Sequence, residues 1–473
     1  MLGLTPRRMA MECGGVLHVP EGFEALADTE VSMITTDSRK AGEGCAFAAI
    51  PGTRVDGHDF IPEVVSKGAL CVIAEKDQEE TGNFIWIKVY STVTALGSIA
   101  RFYREKLGIP VVGITGSVGK TSTKEMVAGV LSQRFRTLKT QGNFNNELGL
   151  PLTVFELNTE HEAAVLEMGI SDFGEMHRLA RIARPDICIM TNIGNCHLEQ
   201  LGDRDGVLRA KSEIFDYLEG DGKIILNGND DKLVTIKEVN GIRPYYYGIP
   251  DEEHPAGGNE IWPKLDFYAE DICPLGLEGT ACKVCTPGGA FEVKVPVPGR
   301  HMVMNALTGA AAGYVMGLTE DEIREGIANM ERVKGRFNII PTKRMTVVDD
   351  CYNANPMSMA ASLDQLVYVN GSAAAVLGDM GGLGSDEIAF HEQVGVHAAN
   401  SAIRKLFCIG PLSRHMAQAA EKVPGSEVEV SWYPDIDSFL ETAAGEILPG
   451  ETVLVKASHF MQFEKIVNAL TEM

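Results

Sequence analysis

The sequence predicts an α/β protein of three domains, with a parallel, doubly wound sheet in the central one. Short apolar runs alternate with helical stretches along most of the chain, the pattern of doubly wound parallel sheets. A glycine-rich stretch near residue 113 joins one such run to a helix. The length, 473 residues, corresponds to about three domains at roughly 150 residues each.

Taken in order, residues 1–85 are strand-rich and punctuated by glycine, most clearly as strands at 45–50 and 69–74. A helix follows at 92–107, where Leu96, Ile99, Ala100 and Tyr103 recur at helical spacing. The run at 110–112 leads through the glycine-rich stretch to a helical stretch at 122–131. Further strands are expected at 163–166, 186–190 and 223–226, ending at Glu167, at Thr191-Asn192 and at Asn227. In a parallel sheet these ends share the edge where ligands gather. Residues 240–298, rich in Pro and Gly, read as an antiparallel appendage, and a small-residue helix at 305–316 stops at Gly317. The third unit carries strands at 346–348, 373–377, 406–409 and 452–455. There Asn355-Pro356 reads as N-cap and first helical residue. The domains expected are 1–88, 89–317 and 318–473.

The stretch Gly113-Ile114-Thr115-Gly116-Ser117-Val118-Gly119-Lys120-Thr121 has the chemistry of a phosphate cradle. Backbone N–H groups wrap phosphates, Lys120 neutralises charge and the Thr121 hydroxyl can ligate Mg²⁺. The nucleotide-binding set is thus Thr115 to Thr121 with Ser122, and ATP is the expected nucleotide. The spacing departs from the usual motif, since Gly113 lies six residues before Gly119 and Ile114 stands five before.

Composition narrows the partners. With 42 basic and 65 acidic residues the net charge is −23, which repels nucleic acid and anionic membranes. No long apolar run or signal-peptide pattern is present, so a cytoplasmic protein without membrane insertion is expected. Ten scattered cysteines read as reduced thiols, and Cys282 and Cys285 form a lone CxxC pair better explained as structural than as a zinc site.

Beyond the cradle, Glu167 at a strand end can hold Mg²⁺ opposite Thr121. His197, just past the next strand, is either a metal ligand or a solvated loop histidine. Lys211 has nothing in its pattern to single it out. Asn143, Asn145 and Asn146, followed by Glu147, suit a polar ligand or a plain turn. Asp350 ends the first strand of the third unit, where a carboxylate can reach a ribose hydroxyl.

Together these stretches resemble the Mur ligases, ATP-dependent amide-forming enzymes of peptidoglycan synthesis. The resemblance rests on Asp37-Ser38-Arg39, Asp56-Gly57-His58-Asp59-Phe60, the cradle, Gly142–Gly149, Glu167-Met168-Gly169, and Thr191 to His197 with Glu199. It continues through Ala210-Lys211-Ser212-Glu213, Gly299-Arg300-His301 with Asn305, Lys334-Gly335-Arg336, Asp349 to Pro356 and Leu377-Gly378-Asp379-Met380. It implies a small N-terminal α/β substrate domain, a central P-loop-type doubly wound ATPase domain and a C-terminal Rossmann-like α/β domain. It implies Lys120, Glu167, His197, Lys211 and Arg336 as catalytic, with Lys211 carbamylated. Thr121, Glu167, His197 and Lys211 would hold Mg²⁺. Asn305, Asp350, Asn353 and Arg336 would join the nucleotide site. Ser38, Arg39 and the Asn-rich loop would bind the other substrate. The Asn-rich loop and the Tyr-Asn-Ala-Asn-Pro run point to the branch that joins D-Ala-D-Ala to UDP-MurNAc-tripeptide; a monomer is expected, though no motif encodes it. A ligase adding a single amino acid and a non-catalytic ATP-binding switch are the competing readings. Met302 departs from the family's usual Asn, Gly382 from a Glu, and Ala457 and His459 from a Lys-Gly-Ser-Arg run.

Overall fold

A computed structural model describes residues 1–52, 55–78, 83–331, 334–369, 371–442 and 444–473. Three sheets, of five, nine and six strands, follow one another along the chain.

The first unit has the strand order Val16–His18, Ile85–Lys88, Cys71–Ala74, Ala46–Ala48, Ile34–Thr35, parallel except for the first pair. Helix Thr92–Leu107 matches its expected span, starts at the Ser91 cap and stops at Gly108 (φ 64°). It packs on Pro6–Cys13 of the first unit and on Gly149–Phe155 and Glu175–Ala183 of the second, so its buried face joins the two.

The central sheet places Val111–Thr115 between Ala163–Glu167 and Ile187–Met190, all parallel. Chain order reverses around this strand, and the crevice beyond its carboxyl end is where such a sheet binds ligands. Residues 240–298 are only in part the antiparallel appendage expected. Tyr245–Gly248 and Phe267–Pro274 extend the same sheet in parallel, and only Thr280–Thr286 and Gly289–Val295 are antiparallel. Pro and Gly mark the breaks between strands, but pairing with Lys223–Asn227 is a long-range property that local composition does not encode.

Helix Arg300–Val315 packs against Lys120–Leu131, and Glu320–Ala328 lies on both. A Cβ at Gly326 would sit 2.4 Å from Val130 Cα, so this approach needs glycine. The packing thus carries the central unit past the boundary expected at 317.

The third sheet runs Asn338–Pro341, Thr346–Asp349, Thr452–Lys456, Ala373–Gly378, Lys405–Ile409, Glu429–Tyr433. Asn355 caps helix Pro356–Asp364 with a reciprocal Ser358 bond, as its sequence indicated. All ten cysteines are free thiols. Cys282 and Cys285, three apart in one strand, face opposite sides of the sheet and share no site. Among the described residues no helix is long and apolar enough to cross a membrane.

Candidate active site

Strand Val111–Thr115 ends in a loop whose last residue, Gly119 (φ 85°), caps helix Lys120–Leu131. The first backbone N–H groups of a helix lack partners within it, which makes the turn a donor cradle for an anion. Gly116 has φ 148°, and a Cβ there would lie 1.9 Å from Thr191 Oγ1. Gly116→Ala is therefore expected to weaken nucleotide binding by roughly tenfold or more, measured by calorimetric titration.

The following strand end braces this loop. Asn192 Oδ1 accepts from Val118 N at 2.9 Å, while Asn192 Nδ2 and the Thr191 hydroxyl donate to Val118 O at 3.0 and 2.6 Å. Gly194 N donates to Ser117 Oγ at 2.9 Å. The loop's shape is thus fixed by contacts outside itself.

Glu167 is buried at the end of the neighbouring strand. Its N–H donates to Thr140 Oγ1 at 3.0 Å, and its Oε1 accepts from Asn145 Nδ2 at 2.8 Å. Its Oε2 is buried without a hydrogen-bond partner. Such an atom costs free energy unless another group meets it. A cavity of about 220 Å³ brings Glu167 together with Ser117, Val118, Gly119, Lys120, Thr121 and Asn145. Arg336, Tyr352 and Asn353 close it from the third unit.

Lys120 Nζ donates to Gly116 O at 2.8 Å. Loss of solvation lowers its pKa, and the Glu167 charge offsets part of that. Arg336 reaches across from the third unit, with Nη2 3.4 Å from Thr121 Oγ1 and its guanidinium carbon 4.3 Å above the Tyr352 ring.

Lys211, on helix Arg204–Ser212, is 1% exposed. Burial, reinforced by the charge of Lys120, pushes its pKa from 10.5 down to about 7. A lysine poised there holds a large neutral fraction, which is the nucleophilic form. His197 takes left-handed backbone (φ 52°) at the start of the short helix Leu198–Leu201. Lost solvation and then the charges of Lys211 and Lys120 lower its pKa, which favours the neutral imidazole that binds metals.

A second cavity of about 400 Å³ runs from Val118, Gly119 and Ser122 to Met302, Asn305 and Asp350. Asp350 faces it but is already engaged. Oδ1 accepts from Phe337 N at 3.0 Å, and Oδ2 accepts from Ser362 Oγ at 2.5 Å and Lys456 Nζ at 2.7 Å. Both members of the ion pair are buried. Lys456→Met should destabilise the third unit by about 3–5 kcal/mol, because a buried charge loses its partner. Urea unfolding reads this, and the pair Asp350→Asn with Lys456→Met should recover most of it.

The expected residues do not all converge. Ser38 and Arg39 stand on the first unit, away from both cavities: Arg39 pairs with Asp37 at 2.8 Å and Ser38 O accepts from Lys67 Nζ at 2.9 Å. Within the Asn-rich loop only Asn145 reaches the site. Asn146 Oδ1 accepts from Gly149 N at 2.8 Å, Glu147 pairs with Arg178, and Asn143 is exposed. Thr140 escaped the sequence reading because it carries no chemical signal. Asn192 stood at a strand end on the ligand edge but was given no role of its own, and Lys456 closes an apolar strand at the same edge.

Three family descriptions match the chain in succession: "Mur ligase family, catalytic domain" over 30–115, "Mur ligase middle domain" over 114–313, and "Mur ligase, glutamate ligase domain" over 335–459. The UDP-N-acetylmuramoyl-tripeptide–D-alanyl-D-alanine ligase of Bacillus subtilis (strain 168) is 33% identical over 476 residues, covering 100% of this chain and 99% of the relative. A crystal structure of MurF from Acinetobacter baumannii superposes with TM-score 0.88 at 30% identity, covering 99% of each chain. MurF ligase from Thermotoga maritima in complex with ADP gives TM-score 0.80 at 27% identity, over 93% of this chain and 97% of that one. With cradle, carboxylate and third-unit arginine in one cavity, and relatives alike from end to end, the chain belongs to the Mur ligase family.

Proposed function

We propose that the protein joins the amino group of D-alanyl-D-alanine to the terminal carboxylate of UDP-MurNAc-tripeptide, cleaving ATP to ADP and phosphate. The observation that carries this is the cavity where Lys120, Thr121, Glu167 and Arg336 meet, two of its walls from one unit and one from another. The names of the relatives supply the substrates, and the reaction belongs in the cytoplasm, with the chain acting as a monomer.

Glu167 Oε2, buried and unpartnered, fits a cation. Among the described residues no three His, Cys, Asp or Glu side chains form a ready metal cage. A site made of one carboxylate, one hydroxyl, phosphate oxygens and water suits Mg²⁺. Mg²⁺ at Thr121 and Glu167, with a second ion at His197 and carbamylated Lys211, would draw negative charge from the phosphates. The carbamate forms when the neutral Lys211 amine adds to CO₂ and releases a proton.

Lys120 and Arg336 offset the repulsion as the substrate carboxylate meets the γ-phosphate. The carboxylate takes the phosphoryl group to give an acyl phosphate and ADP. The dipeptide amine then attacks the acyl carbon, and the tetrahedral intermediate expels phosphate. With an amine pKa of about 7.7–8.0, roughly a tenth to a third is neutral near neutral pH. Asn145 keeps Glu167 oriented throughout.

The test is phosphate release from ATP with UDP-MurNAc-tripeptide, with and without D-Ala-D-Ala. Release requiring both, with a product heavier by the dipeptide less water, supports the proposal. Release with a single amino acid instead, or binding without release, overturns it in favour of the competing readings.

A further inference from the structure

Lys124 is 1% exposed, and nothing in the reading above uses it. A buried ammonium is tolerated only where partners meet it. Its Nζ donates to Thr140 O at 2.6 Å and lies 3.1 Å from Glu125 Oε1. Glu125 Oε2 in turn accepts from Lys139 Nζ at 2.6 Å. Lys124 and Glu125 stand on helix Lys120–Leu131, whereas Lys139 ends strand Thr137–Lys139 and Thr140 follows it. Two adjacent helix residues thus grip two adjacent residues at a strand end.

The grip lies between the two groups assigned to Mg²⁺. Thr121 precedes Lys124 by three positions on the same helix, hence on the same face and about 4.5 Å along the axis. On the strand side, Thr140 Oγ1 accepts from Glu167 N at 3.0 Å, and Thr140 N donates to Val165 O at 3.1 Å. One residue therefore holds the helix by its carbonyl and Glu167 by its hydroxyl. Asn145 aims the Glu167 carboxylate. Lys124 acts on a different quantity, the spacing between that carboxylate and the Thr121 hydroxyl.

Spacing decides which cation such a frame suits. Mg²⁺ demands near-ideal octahedral geometry at about 2.0–2.1 Å, whereas Ca²⁺ accepts oxygen ligands at about 2.3–2.6 Å in flexible arrangements. A tightly held frame favours the smaller ion, and a loosened one gives that advantage up.

We propose that Lys124 is a positioning residue for the cation. By tying helix Lys120–Leu131 to Thr140 it sets the Thr121–Glu167 separation, and with it the preference for Mg²⁺ over a larger ion. This rests on the reading that places Mg²⁺ at Thr121 and Glu167.

The experiment is calorimetric titration of the whole chain with a non-hydrolysable ATP analogue, in Mg²⁺, in Ca²⁺ and without metal. In Lys124→Met the metal-free affinity should stay within about threefold of the native value. The enhancement by Mg²⁺ should fall by about tenfold or more, and the enhancement by Ca²⁺ by clearly less. Thr140→Val leaves every charge in place and should show the same signature, which keeps the test open if Lys124→Met does not fold. Thr140→Ser retains the hydroxyl and should behave as the native chain. The double variant Lys124→Met with Thr140→Val should add little, because both residues lie on one path. Equal losses with Mg²⁺ and Ca²⁺, or no loss with either, would make Lys124 a stability residue only and overturn the proposal. If the native chain shows no enhancement by Mg²⁺, the metal reading fails and the proposal with it. If the variants behave as expected while ATP supports no ligation, the ligase reading fails and the spacing role stands.

Discussion

Lys211→Ala should lower turnover by about 10²–10³-fold, the usual cost of losing one preorganised charge at the reacting phosphates. Formate or acetate should restore part of it, because a small carboxylate can occupy the space of the carbamate. With its pKa pushed to about 7, the lysine of the native protein is protonated below that pH and cannot add to CO₂. Activity should therefore fall as pH drops through 7, and fall further in CO₂-free buffer. Stability gives a second readout. The folded pKa lies below the unfolded value of 10.5, so between about pH 7 and 10.5 the unfolded chain holds the extra proton. In CO₂-free buffer, folding stability should rise with pH across that window by at most about 1.4 kcal/mol per unit. Lys211→Met should lack this slope and melt a few degrees higher below pH 7, while remaining inactive. Full activity in either variant would remove Lys211 from the chemistry.

Glu167→Gln should lower turnover by at least about 10²-fold at fixed Mg²⁺. The amide keeps the oxygen that Asn145 bonds but loses the charge. Asn145→Ala should raise the Mg²⁺ requirement by about 10–100-fold, with the carboxylate present but unoriented. In the proposed reading both act on one cation, so the double variant should lose far less than the product of the two. A Mg²⁺ titration of each variant decides this, and an Asn145→Ala enzyme with unchanged Mg²⁺ midpoint would mean that the hydrogen bond is only structural.

The sequence disclosed some of this site and concealed the rest for identifiable reasons. Gly116, Gly119, Lys120 and Thr121 lie in one short stretch of chain, so their chemistry could be read as a motif. Helix Thr92–Leu107 was legible because one face carries its periodicity and Ser91 and Gly108 mark its ends. Lys211 was not, since it neighbours Arg209 on an ordinary polar helix. Its burial comes from packing, and only the family resemblance singled it out. The partner of Asp350 is 106 residues away, at Lys456, and no local pattern couples such positions. The extended central sheet was hidden similarly, because Tyr245–Gly248 finds its neighbour through pairing rather than composition.

Arg336 lies at the start of the third unit and touches Thr121 of the second. Reciprocity follows from this single contact. Whatever affinity a nucleotide gains from the arginine, it returns as cohesion between the two units. On the proposed reading, then, nucleotide and inter-unit cohesion strengthen one another, each by the share of affinity that Arg336 supplies and by no more.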